Sequence, residues 1–149
     1  MIYTQKDKVK RGAEGERLIT ASLKEQGIWN YKLFNAGYGT LFDKLIIVNG
    51  KPFALEIKTR TEPHIAYSSI SENERSGLED FYRRVGERRA VIIGIWLAKD
   101  IKRAFWIRWK DVRQQIYSGQ RGSICMTDFD ELDRYKSGWD FQWLGGVLN

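Results

Sequence analysis

With 149 residues, of which 42% are apolar, the chain is long enough to bury a core without disulfides or a structural metal, and one domain over residues 1–149 is expected. A single cysteine, Cys125, excludes an internal disulfide and a cysteine-built zinc site and fits a reducing cytosol, so any metal is expected on oxygen ligands. The formal charge of +6 is lopsided: from Cys125 onward five acids stand against two bases, a net of −3, which leaves +9 before it and favours a polyanionic partner. No apolar run approaches the roughly 18 residues of a membrane span. Residues 1–6 are polar, unlike the apolar centre of a signal peptide. The expectation is a cytoplasmic protein of a bacterial, archaeal or phage-infected cell, with no membrane partner.

The first periodic segment, residues 12–26, puts Ala13, Leu18, Ile19, Ser22 and Leu23 near one helical face, with Arg17, Lys24 and Glu25 elsewhere. Gly27 is placed to end that helix in the left-handed conformation. Glu16 falls in its first two turns, near enough to the apolar stripe to look toward a sheet, or alternatively a first-turn acid serving the helix dipole. Residues 28–35 read as a strand. The Gly-rich bend Ala36-Gly37-Tyr38-Gly39-Thr40 then leads to Asp43; it lacks the spacing and lysine of a P-loop and reads as a substrate-contacting loop with Tyr38 as a stacking group.

Residues 42–48 and 52–58 flank Asn49-Gly50, the strongest short hairpin signal, because both residues tolerate positive φ in a type I′ turn. A two-residue turn sets Val48 against Lys51 and, by the same register, Asp43 directly opposite Glu56. Carboxylates so placed, with Cβ atoms about 4.5–5.5 Å apart, repel unless a cation lies between them. Lys58, two residues on, shares the face of Glu56. The pattern also describes an exposed strand pair with a surface ion pair. However, Leu45, Ile46, Ile47 and Val48, with Phe53, Ala54, Leu55 and Ile57, are apolar on both faces, as in strands buried on both sides, where a charge needs a reason.

Residues 59–71 read as irregular and contain Pro63 and the only histidine, His64, read as a surface loop residue. Ser71 is a plausible N-cap, with Glu72 and Glu74 in the first turn of a helix that runs to about Val85 and stops at Gly86. A buried strand over 89–97, another over 104–109, and a short helix from Trp109 to about Ser118 follow. Residues 128–132 read as a brief helical or looped cap, and Trp139, Phe141 and Trp143 as late apolar anchors. Helix, strand, hairpin, helix, strand, strand is the order of an α/β layer structure with a mixed sheet.

The run Lys10-Arg11-Gly12-Ala13-Glu14-Gly15-Glu16-Arg17-Leu18, then Asp43, then Ala54-Leu55-Glu56-Ile57-Lys58-Thr59, resembles the core of the PD-(D/E)xK nucleases. Within that superfamily it is most similar to Holliday junction resolvases of the archaeal and RecU-like kind, and the stretch from Ser69 through Arg75 to Phe81 resembles the helix after their E-x-K strand. The likeness covers roughly residues 8–97. It implies a restriction-endonuclease-like α/β core, a central mixed β-sheet flanked by helices. It also implies a Mg²⁺-dependent endodeoxyribonuclease, with Mn²⁺ as a substitute, that resolves four-way junctions in double-stranded DNA by paired symmetric nicks as a homodimer. Matched position by position, Glu16, Asp43, Glu56 and Lys58 are the implied catalytic residues, and Asp43, Glu56, the Ile57 carbonyl and Glu16 the metal donors. The spacing from Gly12 favours Glu16 over Glu14. Two departures are Phe42 in place of proline before Asp43, and a loop without serine, in which Thr40 is the nearest hydroxyl. DNA contacts are expected from Lys8, Lys10, Arg11, Tyr38, Thr40 and Arg60. The aromatics of 105–109 and the tail from Trp139 are candidates for a dimer interface, with packing into the core of the chain the preferred reading for most of them. The same four residues would serve a restriction-like, repair or single-strand nuclease equally well. A non-cleaving DNA-binding module is the third alternative, and acids beside phosphates argue against it.

Overall fold

The computed structural model describes residues 4–33, 41–119 and 122–142. Helix α1 (Gln5–Glu25) begins seven residues before the periodic segment because Thr4 caps it: Thr4 Oγ1 accepts from Asp7 N–H at 3.2 Å and the Asp7 carboxylate accepts from Thr4 N–H at 3.1 Å. The added turns carry no apolar stripe, so periodicity could not announce them. Glu16 consequently sits deep within the helix rather than in its first two turns, which removes the first-turn dipole reading. Gly27, at φ +68°, ends α1 as expected.

Six strands form the central sheet in the order β1 (Trp29–Lys32), β2 (Lys44–Val48), β3 (Lys51–Arg60), β5 (Ala90–Ala98), β6 (Ile101–Arg108) and β8 (Asp130–Glu131). All neighbours run antiparallel except β3 and β5, joined by the crossover that contains α2 (Glu72–Arg84). Side chains alternate along β3: Phe53, Leu55 and Ile57 meet α1 through Leu18, Ile19 and Leu23. Ala54 instead joins Leu78 of α2 and Val112 and Ile116 of α3 (Trp109–Tyr117) on the opposite face. Two close approaches tie the helices to the hairpin. A Cβ on Gly15 would fall 1.9 Å from Thr59 Oγ1, and one on Gly77 would fall 2.4 Å from the Leu41 carbonyl oxygen, so α1 and α2 each bring bare backbone onto the segments that lead to the acids.

Several expectations change. Residues 59–71, read as irregular, contain the end of β3, a short strand β4 (His64–Ala66) paired with β7 (Ser123–Cys125), and one 3₁₀ turn at Tyr67–Ser69. His64 is exposed, as expected of a surface residue. The cap over 128–132 contributes β8 to the sheet edge, and β9 (Arg134–Tyr135) pairs with β10 (Gly138–Trp139) beyond it. β2 is not buried on both faces: Ile47 is 39% exposed beside the edge strand β1, whose Trp29 and Tyr31 stack in the open with ring centres 6.3 Å apart. Phe105, Trp106, Trp109, Trp139 and Phe141 are buried within the chain, which bears out the core reading and removes them as candidates for a dimer surface. Trp143 lies outside the described residues. No described helix is long and apolar enough to cross a membrane.

Candidate active site

The hairpin folds about Asn49 (φ +52°) and Gly50 (φ +77°) in the expected register, from Val48 opposite Lys51 to Lys44 opposite Leu55. There the ladder breaks. Asp43 N–H donates to the Leu55 carbonyl at 2.9 Å, so Asp43 and Lys44 both stand against Leu55, the two-against-one arrangement of a β-bulge. Asp43 therefore does not pair directly with Glu56. The bulge re-aims it, and its Oδ2 accepts from Ile57 N–H at 2.7 Å. Because a strand residue sends its N–H and C=O to the same side, the Ile57 carbonyl points toward the gap beside Asp43 where β2 has ended. Phe42, just before Asp43, packs edge-on to Phe81 of α2 at 5.7 Å and anchors this turn.

Glu56 and Lys58 share the α2 face of β3, as their spacing requires. Glu56 is 2% exposed, and Lys58 Nζ lies 3.3 Å from its Oε2. Lys58 also donates to the Ser69 carbonyl at 3.0 Å and to Glu74 Oε1 at 2.9 Å. Glu74 is a site residue that the sequence hides. It completes a capping box with Ser71 at the start of α2, a role that accounts for an acid at that position without further cause. The neighbouring Glu56 Oε1 is buried and has no hydrogen-bond partner.

Crowding of carboxylates sets the electrostatics. Burial pushes Asp43 up to about 6, with the charges of Glu16 and Glu74 adding to it and the Ile57 N–H and Lys58 opposing. Burial pushes Glu56 up to about 10, reinforced by Asp43 and Glu74 and opposed by Lys58. Glu74 moves the other way: burial would raise it, but hydrogen bonds from Glu56, Lys58 and the Ser71 N–H together bring it below its ordinary value. The two neighbouring carboxyls are thus shifted apart, Glu56 upward and Glu74 downward.

Glu16 approaches Asp43 from α1 on the other side. It pairs with Lys32 at 3.6 Å, and both line, with Asp43 and Lys44, a cleft of about 460 Å³. Glu14 is held on the exposed side by Arg17 at 2.6 Å. Among the described residues no three His, Cys, Asp or Glu side chains are grouped closely enough to hold a metal. Two carboxylates, Asp43 and Glu56, and the Ile57 carbonyl form a set of hard oxygen donors suited to Mg²⁺ or Mn²⁺, and the unpartnered Glu56 Oε1 is the atom a cation would satisfy.

Of the expected DNA contacts, Lys8 and Lys10 are exposed on α1. Arg60 is half-buried, donates to the Thr59 carbonyl at 2.9 Å, and has its pKa lowered by burial and by the nearby charge of Arg11. The basic end of α1 therefore lies beside the end of β3. Tyr38 and Thr40 fall outside the described residues.

Neither a family model nor a curated protein matches the chain. Among solved structures, its fold is similar to that of Hjc from Archaeoglobus fulgidus, a Holliday junction resolvase of an archaeal hyperthermophile. The TM-score is 0.56 at 21% identity, over 80% of this chain and 95% of that one. The likeness is one of fold: a central mixed sheet of six strands with helices on both faces.

Proposed function

We propose that this chain is a metal-dependent, structure-specific endodeoxyribonuclease of the PD-(D/E)xK type that cuts four-way DNA junctions by paired nicks as a homodimer. The observation that carries the reading is a pair of carboxylates, half-buried Asp43 and buried Glu56, with one Glu56 oxygen lacking any partner, set beside an anchored lysine at the end of β3. Uncompensated buried acids are costly to a fold and are retained where chemistry uses them. The similarity in fold to a resolvase supports reading the substrate as branched DNA.

Asp43, Glu56 and the Ile57 carbonyl are the donors for Mg²⁺, with Mn²⁺ as a substitute; the ion supplies Lewis-acid polarisation of a phosphate and a lower pKa for bound water. Glu16, across the cleft from Asp43, completes the donor set or holds a water ligand. Lys58 presents its ammonium beside Glu56, where it orients an attacking water or offsets charge developing on the phosphate oxygens. Arg11 and Arg60, with Lys8 and Lys10 along α1, seat the phosphate backbone next to the acids. A two-fold homodimer supplies the two symmetric sites that paired nicks need.

The test is cleavage of a labelled four-way junction beside a linear duplex of the same arms, with Mg²⁺ or EDTA and with Asp43→Asn alongside. Symmetric paired nicks confined to the junction, dependent on Mg²⁺ and lost in the variant, are expected. Equal cutting of the linear duplex would reassign the chain to general nucleases, and tight junction binding without cutting would make it a binding module.

A further inference from the structure

We infer that Glu74 is the positioning residue for Lys58, an assignment that rests on the nuclease reading of this site. A lysine ammonium has three donors, and all three of Lys58 meet protein oxygens: Glu74 Oε1 at 2.9 Å, the Ser69 carbonyl at 3.0 Å and Glu56 Oε2 at 3.3 Å. The two shorter contacts come from the segment that opens α2, since Ser69 ends the preceding 3₁₀ turn and Glu74 lies in the first helical turn. They fix Nζ from one side. The third contact is the longest, and its direction is the one left to a phosphate oxygen or a water.

Without Glu74, the flexible four-carbon stem of Lys58 has one strong anchor in place of two. Glu56, already within ion-pair distance, is then the remaining acid in its reach. The loosely held ammonium would then swing between Glu56 and solvent, crowding the carboxylate meant for a cation and turning its donors away from substrate. Glu74 thus keeps two neighbouring charged groups separately usable.

The capping box makes this separable from a structural role. Glutamine at the same position also completes a capping box, so Glu74→Gln keeps the start of α2 and removes only the charge held against Lys58. Ser71→Ala does the reverse: it removes the cap and leaves the Glu74 carboxylate. Three readouts decide: single-turnover cleavage of the four-way junction with Mg²⁺, junction affinity in EDTA, and acylation of Lys58 by an amine-reactive ester, followed by mass spectrometry on the metal-free protein. Glu74→Gln is expected to slow cleavage by about 10- to 100-fold, the range for losing one charge-assisted hydrogen bond in the transition state, with junction affinity unchanged. Lys58, 12% exposed in the native chain, is expected to acylate severalfold faster in that variant. Ser71→Ala is expected to lower Tm while leaving the cleavage rate and Lys58 labelling at native levels. Cleavage by Glu74→Gln at the native rate overturns the assignment, as does a loss that Ser71→Ala reproduces. If the native protein cuts no junction, the nuclease reading fails by itself, and native-like labelling of Lys58 in Glu74→Gln then also overturns the anchoring.

Discussion

Two glutamates one turn and a half apart on α2 live in opposite surroundings. Glu79 faces α3, where it accepts from Trp109 Nε1 at 2.8 Å, from Arg113 Nε at 2.7 Å and from the second Arg113 nitrogen, and pairs with Arg83 at 2.7 Å. These donors, the Arg113 guanidinium foremost, hold its carboxyl down at about 2 against the opposing effect of burial. Glu74 faces β3, where it and Glu56 share one lysine and where Glu56 Oε1 has no partner. The first cluster is satisfied, and it joins two helices. The second leaves polar groups uncompensated, and a fold keeps such a defect where the missing partner arrives with substrate or cation.

Mutation should therefore move the two regions in opposite directions. The largest effect belongs to Asp43→Asn: under the proposed mechanism, which makes Asp43 a charged metal donor, junction cleavage should fall by at least ~10³-fold. The same variant should raise the stability of the metal-free protein above about pH 6, by on the order of 1–3 kcal/mol, since an amide still accepts from Ile57 N–H and carries no charge to desolvate. Denaturant unfolding in EDTA checks this, and a variant weaker than native would show that the acids are not in conflict. Glu79→Ala comes next and should lose about 2–4 kcal/mol, because it strands the buried Trp109 N–H and the Arg113 guanidinium. Its cleavage rate per folded molecule should stay native. A rate loss at temperatures where Glu79→Ala is folded would contradict the division between the clusters.

Local chemistry was legible in the sequence, and tertiary context was not. Asn49-Gly50 announces its turn because positive φ is a property of those two residues, and the hairpin register follows from it as far as Lys44. The bulge at Asp43 leaves no mark, since one extra residue in a strand changes no composition. Likewise, the first turns of α1 hold a single apolar residue, the exposed Val9, and their cap at Thr4 has no apolar run behind it. Glu74 was legible as a cap and illegible as a neighbour of Lys58, because the second role depends on where β3 passes. The aromatics of β6 read from sequence as core first and interface second, and β5 and β8 on either side bury them.

The smallest effect, and the one that tests both clusters together, is the pH dependence of stability. Asp43 and Glu56 bind protons more tightly in the folded chain than their ordinary values of 3.8 and 4.5 allow in the unfolded one. Their contribution is therefore full at low pH and is lost as pH rises, first through about 6 for Asp43 and onward toward about 10 for Glu56. Glu79, held at about 2, contributes in the opposite sense: its share is present above 4.5 and is lost as pH falls toward 2. Metal-free protein should show a Tm that climbs on the acid side and declines on the alkaline side. Glu79→Ala should flatten the first limb, and Asp43→Asn should flatten the first part of the second. Because a cation at the donor pair competes with protons there, saturating Mg²⁺ should raise Tm little at about pH 5.5 and by several degrees more at about pH 8.5. A Mg²⁺ increment that ignores pH, or that survives Asp43→Asn unchanged, would locate the cation away from these two carboxylates.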